Sequence, residues 1–576
     1  MHLKTCFFLP LLLSLSLTTQ AQPSSDSTPR AQSSALDSAL FYQLLLGELN
    51  ARGDDPATGY ALMLDGARKT NDPNLFRRAV HMALQVRSGE TALLAAKAWS
   101  QAQPGSREAN QYILQVLLGL NRIPETLEPL KRDLQLSAAN EKQDTLWAIP
   151  TLFKRVSDHA LASATVKKTL ASYLQDHTLG PTAWAVVGRM ALRAGDAPAA
   201  LAAAINGIKL NPRSEHAALL ALSLMEPEQA TAEQLVQQHI PHARPEFRMA
   251  YIKALLNAKR EADAKVQLQA IRQQTPDYPD TWLIEGALAM QEGHIEAARS
   301  QLQHYLELTE RATKTASTDY QRGRTQALFS LAQLDEQQKD FKQADAWLLR
   351  VDNADDLLRA QIRRAGLMAR QGQLEQALAL IESQPDQTAS DARLKRSAQV
   401  QLLKEHQQFK RARSLLQASL ADHPDDPDMA YDLAMVHEKL GELDDMERLL
   451  RQLIAARPND PQAYNALGYA LADRHLRLPE AKALINQAVA LAPNDAYISD
   501  SLAWVEFRLG NLETALQLLQ AAYQHKPDVE IAAHLGEVLW SLKRPAEALQ
   551  IWREAFKLNP DNENLNQTLK RLQVKL

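Results

Sequence analysis

Cysteine is all but missing. Cys6 is the only one in 576 residues, so no disulfide framework staples the chain and an oxidising compartment does it no harm. Charge of one sign is missing too. Lys and Arg number 64 against 68 Asp and Glu, a formal net charge of −4, which argues against nucleic acid or an anionic membrane surface as the main partner. Beyond the N-terminal segment no apolar run reaches the roughly 18 residues of a membrane span. The sequence also has no G-x-x-x-x-G-K-[ST] phosphate loop, G-x-G-x-x-G, G-x-S-x-G elbow, H-E-x-x-H or S-x-x-K. What is left is a long chain with 45% hydrophobic residues. That is too much for one ordinary core, so several domains or a repeat array is expected.

The N-terminus reads as a leader. Lys4 supplies positive charge, "FFLPLLLSLSL" is an apolar run and "TTQA" ends in small residues. Residues 1–21 are therefore expected to be a signal peptide cleaved after Ala21, followed by a polar, disordered linker over 22–36. Cys6 precedes the apolar run instead of following it, so it does not fit a lipidation site.

Prolines then mark a period. Pro424, Pro458, Pro493, Pro527 and Pro560 lie 34, 35, 34 and 33 residues apart. Between them run two amphipathic helical patterns, with a small residue in the first and an alanine in the second. The pairs are Gly468 and Ala481, Ala503 and Ala515, and Gly536 and Ala548. The same marks recur upstream at Gly188 and Ala200 and at Gly286 and Ala298, with further second-helix alanines at Ala92, Ala264, Ala344, Ala377 and Ala412. Glycine inside a helix is roughly 1 kcal/mol worse than alanine. Its recurrence therefore predicts that two antiparallel helices approach closely at that point. Gly441, Gly510 and Lys543 fit left-handed helix ends, and Asp426-Pro427 and Asp460-Pro461 fit an N-cap followed by proline at the first helical position.

These marks resemble the tetratricopeptide repeat, a 34-residue helix–turn–helix unit. The resemblance implies an all-α fold, an α-solenoid of about fourteen or fifteen units winding as a right-handed superhelix. The array is expected over 37–562, weakly phased at 107–177 and 214–243, with a closing helix over 563–576.

No catalytic, cofactor or metal constellation stands out. Asp425, Asp426, Asp428 and Asp432 cluster, yet the segment lacks the central glycine and bidentate glutamate of a calcium loop, and helix capping explains it better. The fifteen histidines show no paired ligand spacing. What remains is a surface. In repeat geometry the partner-binding groove falls on Tyr431, Asn465, Tyr469, Tyr497, Asp500, Trp504, Phe507, Arg508 and Trp540. Aromatics beside charged groups are the composition of a peptide-binding hot spot. Asn465 alone matches the Lys/Asn carboxylate clamp of chaperone-binding repeats, which disfavours that partner class.

Two segments, "LFYQLLLGELNARGDDPATGYALMLDGARKTNDPNLFRRAVHMALQVRSGETALLAAKAWSQAQPGSREA" and "SDSLAWVEFRLGNLETALQLLQAAYQHKPDVEIAAHLGEVLW", resemble proteobacterial envelope lipoproteins that serve as adaptors of a periplasmic carboxyl-terminal processing protease. The resemblance implies a non-enzymatic, periplasmic scaffold that binds the protease and its substrates, among them cell-wall hydrolases. Members of that family carry a lipidated cysteine after the leader, where this sequence has Gln22. The expectation is either an unlipidated periplasmic form or a wrongly assigned start codon, with outer-membrane association as the alternative to a free periplasmic protein. The competing expectation is a structural assembly factor for polysaccharide or outer-membrane export.

Overall fold

The computed structural model describes residues 37–225, 230–312 and 320–576, so the expected leader and linker lie outside the described residues. Among the described residues every regular element is a helix, and no helix is long and apolar enough to cross a membrane.

The helices come in antiparallel pairs, called here A and B. Seven pairs run from Ser38–Arg52 with Pro56–Thr70 to Pro245–Asn257 with Glu261–Gln274, in a compact unit that ends at Pro276. Eight pairs run from Pro279–Gln291 with Ile295–Ala312 to Val529–Ser541 with Pro545–Leu558, in a second unit that begins at Asp277. Each unit is an α-solenoid, in which helices pack mainly on their neighbours in sequence. Fifteen pairs match the expected number.

In several pairs the small residue of the A helix sits where its B helix crosses. A Cβ on Gly468 would lie 2.5 Å from the Ile485 side chain and 3.0 Å from the Ala481 carbonyl. On Gly286 it would meet Leu302 at 2.7 Å, and on Gly536 the indole of Trp552 at 2.2 Å. Ala481, Ala298 and Ala548, the expected B-helix alanines, are fully buried. Local chemistry fixes the ends. Asp426 accepts from the Asp428 and Met429 amides, Asp460 from the Gln462 amide, and Pro427 and Pro461 occupy first-turn positions. Gly441, Gly510 and Lys543 all have positive φ, at 77°, 87° and 63°.

The weakly phased stretches are helical pairs too, but short and broken. Arg107–Gly119 is followed by a 3-10 turn, Ile123–Thr126, before Leu127–Leu136. Pro150 lies inside Lys142–Leu152 and removes an amide donor from that helix. Glu215–Leu222 and Ala230–His239 have only eight and ten residues. The closing helix is shorter than 563–576: it spans Glu563–Arg571 and packs on Val529–Ser541 with Leu565 and Leu569 buried.

Candidate protein-binding groove

The nine residues expected in the groove lie on four A helices of the second unit, Pro427–Leu440, Pro461–Asp473, Ala496–Arg508 and Val529–Ser541. They do not form one open surface. Trp504 keeps only 3% of its exposure and Asp500 6%, and Trp504 belongs to the apolar core. Its ring stacks on His534 at 4.2 Å and lies 5.1 Å from Phe507. This corrects the expectation that Trp504 stands free as an anchor. Successive A helices approach so closely here that a large side chain at its position fills the space between them.

His534 is the centre of the cluster. Its Nδ1 lies 2.9 Å from both Asp500 carboxylate oxygens, and its Nε2 lies 3.3 Å from the Tyr469 hydroxyl. Three consecutive A helices are thereby tied through one imidazole. Burial alone would lower the histidine pKa, but the Asp500 carboxylate, its hydrogen bond, and Glu537 and Glu530 together hold it above the ordinary value. When the imidazole is protonated the contact is a buried ion pair, its desolvation offset by mutual attraction and hydrogen bonding. Burial pushes the Tyr469 hydroxyl pKa up, helped by the nearby Asp473 and Asp500. The sequence, which shows no paired ligand spacing among its histidines, did not single out His534. The available signal was its setting: Ile531 to Leu539 form an unbroken buried run, and a helix buried all round has no open groove face.

The remaining residues keep partial exposure. Arg508 donates to the Ala472 and Asp473 carbonyls at 3.2 and 2.7 Å, capping the end of Pro461–Asp473, and lies over Trp504 at 5.6 Å. Tyr497 is the most exposed, at 41%; its hydroxyl donates to Asp528 at 3.2 Å and Lys526 lies over its ring at 4.2 Å. Trp540 is half-buried, tilted against Trp552 at 5.9 Å. Tyr431 is half-buried and its hydroxyl pKa is raised by burial. Asn465 has a buried Oδ1 with no hydrogen-bond partner.

The acidic cluster does what capping predicts. Asp426 caps its helix, Arg393 bridges Asp426 and Asp428, and Asp432 accepts from Lys404 at 2.8 Å. These three carboxylates serve a helix end or a neighbouring repeat.

Family models described as tetratricopeptide repeat match residues 403–468 and 501–563. A "TPR repeat-containing protein" of Pseudomonas aeruginosa is 36% identical over 211 residues, which are 37% of this chain and 36% of that protein. The chain thus spans about a third of the length of the curated relative it matches. Among solved structures, a thermophilic TPR protein of Thermus thermophilus is 24% identical over 96% of its chain and 30% of this one, with a TM-score of 0.28. A tetratricopeptide repeat protein from Parabacteroides merdae is 15% identical over 98% of its chain and 43% of this one, with a TM-score of 0.34. With contact glycines at Gly188 and Gly286 and left-handed turns at Gly195 and Gly293 in helix pairs upstream of the matched segments, as well as within them, the chain carries tetratricopeptide repeats.

Proposed function

We propose that the chain is a protein–protein interaction scaffold of the bacterial cell envelope, an adaptor that presents substrates such as cell-wall hydrolases to a carboxyl-terminal processing protease. Tetratricopeptide arrays are generally non-enzymatic scaffolds, and the observation that carries the reading is the array itself. Two solenoid units built from one repeated helix contact present long side-chain faces, and repeat proteins use such faces for binding. The protease, its substrates and the periplasmic location rest on the likeness of the two terminal segments to adaptor lipoproteins. The partner-contacting residues of the second unit are those that keep exposure and do not bond His534: Tyr431, Asn465, Tyr497, Phe507, Arg508 and Trp540. Tyr469, Asp500 and Trp504 hold the A helices beneath them in register.

Affinity capture of the tagged chain from envelope extracts of its host, read by mass spectrometry, tests this. A carboxyl-terminal processing protease should be retained and should be depleted by Tyr497→Ala with Phe507→Ala. Retention of export-machinery proteins without any protease would favour the assembly-factor reading and sink the adaptor.

A further inference from the structure

In the first unit three A helices, Lys142–Leu152, Gly180–Arg193 and Glu215–Leu222, bring one side-chain cluster together. The Arg189 guanidinium lies 4.2 Å over the Trp147 ring, and the His216 imidazole stacks on the same indole at 4.2 Å and 24°. Thr182 and Gln143 orient the imidazole, with Oγ1 and Nε2 at 2.9 and 3.3 Å from Nδ1. Burial is the main cause that lowers the His216 pKa, so the ring is a neutral platform near pH 7.

Arg189 and Arg193 bring two positive charges to the cluster, while Glu215 and Asp144 act on His216 from the flanking helices. Arg189 and Arg193 stand four residues apart on one helix face, where like charges repel. Arg189 donates to the Trp147 carbonyl at 3.2 Å and Arg193 donates to the Pro150 carbonyl. No carboxylate among the described residues pairs with either. Other arginines of the same unit do have one: Arg78 pairs with Glu48, Arg107 with Asp133, and Arg260 with Glu233. Burial lowers the Arg189 pKa and the neighbouring Arg193 lowers it further, with no acidic group opposing them.

Capping of the Lys142–Leu152 C-terminus accounts for part of this arrangement, and Arg508 does the same in the second unit. It uses one nitrogen of each guanidinium. Each fork has five N–H donors, and none of the other nitrogens of either arginine is a buried, unpartnered atom. Side chains one helical turn apart sit roughly 5–6 Å apart at Cβ, which suits a carboxylate held between two guanidinium groups.

We propose that Arg189 and Arg193, beside the Trp147–His216 stack, form a subsite for a carboxylate of an extended polypeptide. The inference rests on the scaffold reading in one respect, that the ligand is a polypeptide. The carboxylate comes from a chain terminus or from an Asp or Glu side chain, and the two sources are separable by experiment.

The test is an array of synthetic decapeptides, anchored by their N-termini and probed with the full chain. Each sequence is present as the free acid and as the C-terminal amide, with and without internal Asp or Glu. The chain should bind carboxylate-bearing peptides at least tenfold better than the amides that lack Asp and Glu. Preference for free acids over amides identifies the terminus as the source, and preference for internal acids identifies the side chain. Arg189→Gln with Arg193→Gln should remove that tenfold preference. Arg189→Lys with Arg193→Lys keeps charge and capping but loses the fork, and should leave two- to fivefold. Equal binding of peptides with and without a carboxylate would overturn the subsite while leaving the scaffold standing. So would an unchanged preference in the Gln variant with an unchanged circular dichroism melt. Failure to bind any peptide would overturn both.

Discussion

Replacing Gly536 by alanine adds one methyl group, and the structure sets its effect against a large, immobile neighbour. The new Cβ would lie 2.2, 2.4 and 2.7 Å from three atoms of the Trp552 indole. Ordinary contact begins at 3.4 Å, so the ring must retreat by about 1.2 Å (3.4 less 2.2). Trp552 is fully buried and its Nε1 donates to the Ala533 carbonyl at 3.2 Å, so it has nowhere to go without breaking that bond. Overpacking costs about 1–3 kcal/mol and the hydrogen bond roughly 1 kcal/mol. The better helix propensity of alanine returns roughly 1 kcal/mol. The net expectation is a destabilisation of about 1–3 kcal/mol, confined to the last pair and the closing helix. Gly366 supplies the control. It lies inside Ala354–Arg370, and a Cβ added there would meet nothing within 4 Å, so Gly366→Ala should stabilise its pair by roughly 0.5–1 kcal/mol. Hydrogen exchange followed by mass spectrometry reads each pair separately, which matters because a long repeat array need not unfold in two states. If Gly536→Ala slows exchange across 529–571, as Gly366→Ala should across its own helix, then the close-contact account of these glycines is wrong.

Lys543→Gly should stabilise the last pair by about 0.5–1 kcal/mol in urea unfolding, because a left-handed lysine costs roughly 1–2 kcal/mol and glycine returns part of that gain as unfolded-state entropy. Asp426→Ala removes the acceptor of two first-turn amides and one arm of the Arg393 bridge, and should cost about 1 kcal/mol by the same measurement. The His534 pKa is raised in the folded chain, so its contribution is fully present below the unfolded value, about 6.5, and is lost as pH rises through the higher folded value. Melting of the second unit should therefore fall with rising pH above about 6.5, and His534→Gln should flatten that dependence; a wild-type melt that climbs over the same range would contradict the ion pair.

The repeat was legible because its physics is local and periodic. A contact glycine, a crossing alanine, an Asp-Pro cap and a proline stop each leave a mark at fixed spacing, and Gly468, Ala481 and Asp460 are found where those marks put them. Turns were less legible wherever glycine is replaced. Asn121, Lys259, Lys339 and Gln407 adopt the same positive φ as Gly441, but no side-chain type announces it. The broken stretch around Pro150 lost its phase for the same kind of reason, since its helices are interrupted by a 3-10 turn and an internal proline and carry no contact glycine.

The groove was the hardest to read because a helix face is defined by what lies opposite it, and sequence register supplies only the near side. Trp504 and Asp500 occupy positions that would face open space if successive A helices spread apart. In the second unit they converge, and His534, two repeats from Tyr469, reaches its hydroxyl. The same convergence explains why the uncompensated charge of the first unit escaped notice. Arg189 and Arg193 look like ordinary surface residues until Trp147, from the preceding A helix, is seen to lie under the Arg189 guanidinium without offering a carboxylate. Aromatic residues in a repeat array therefore cannot be sorted into anchors and core by register alone. The deciding quantity is how closely neighbouring A helices bring their side chains together, and here it assigns Trp504 to the core.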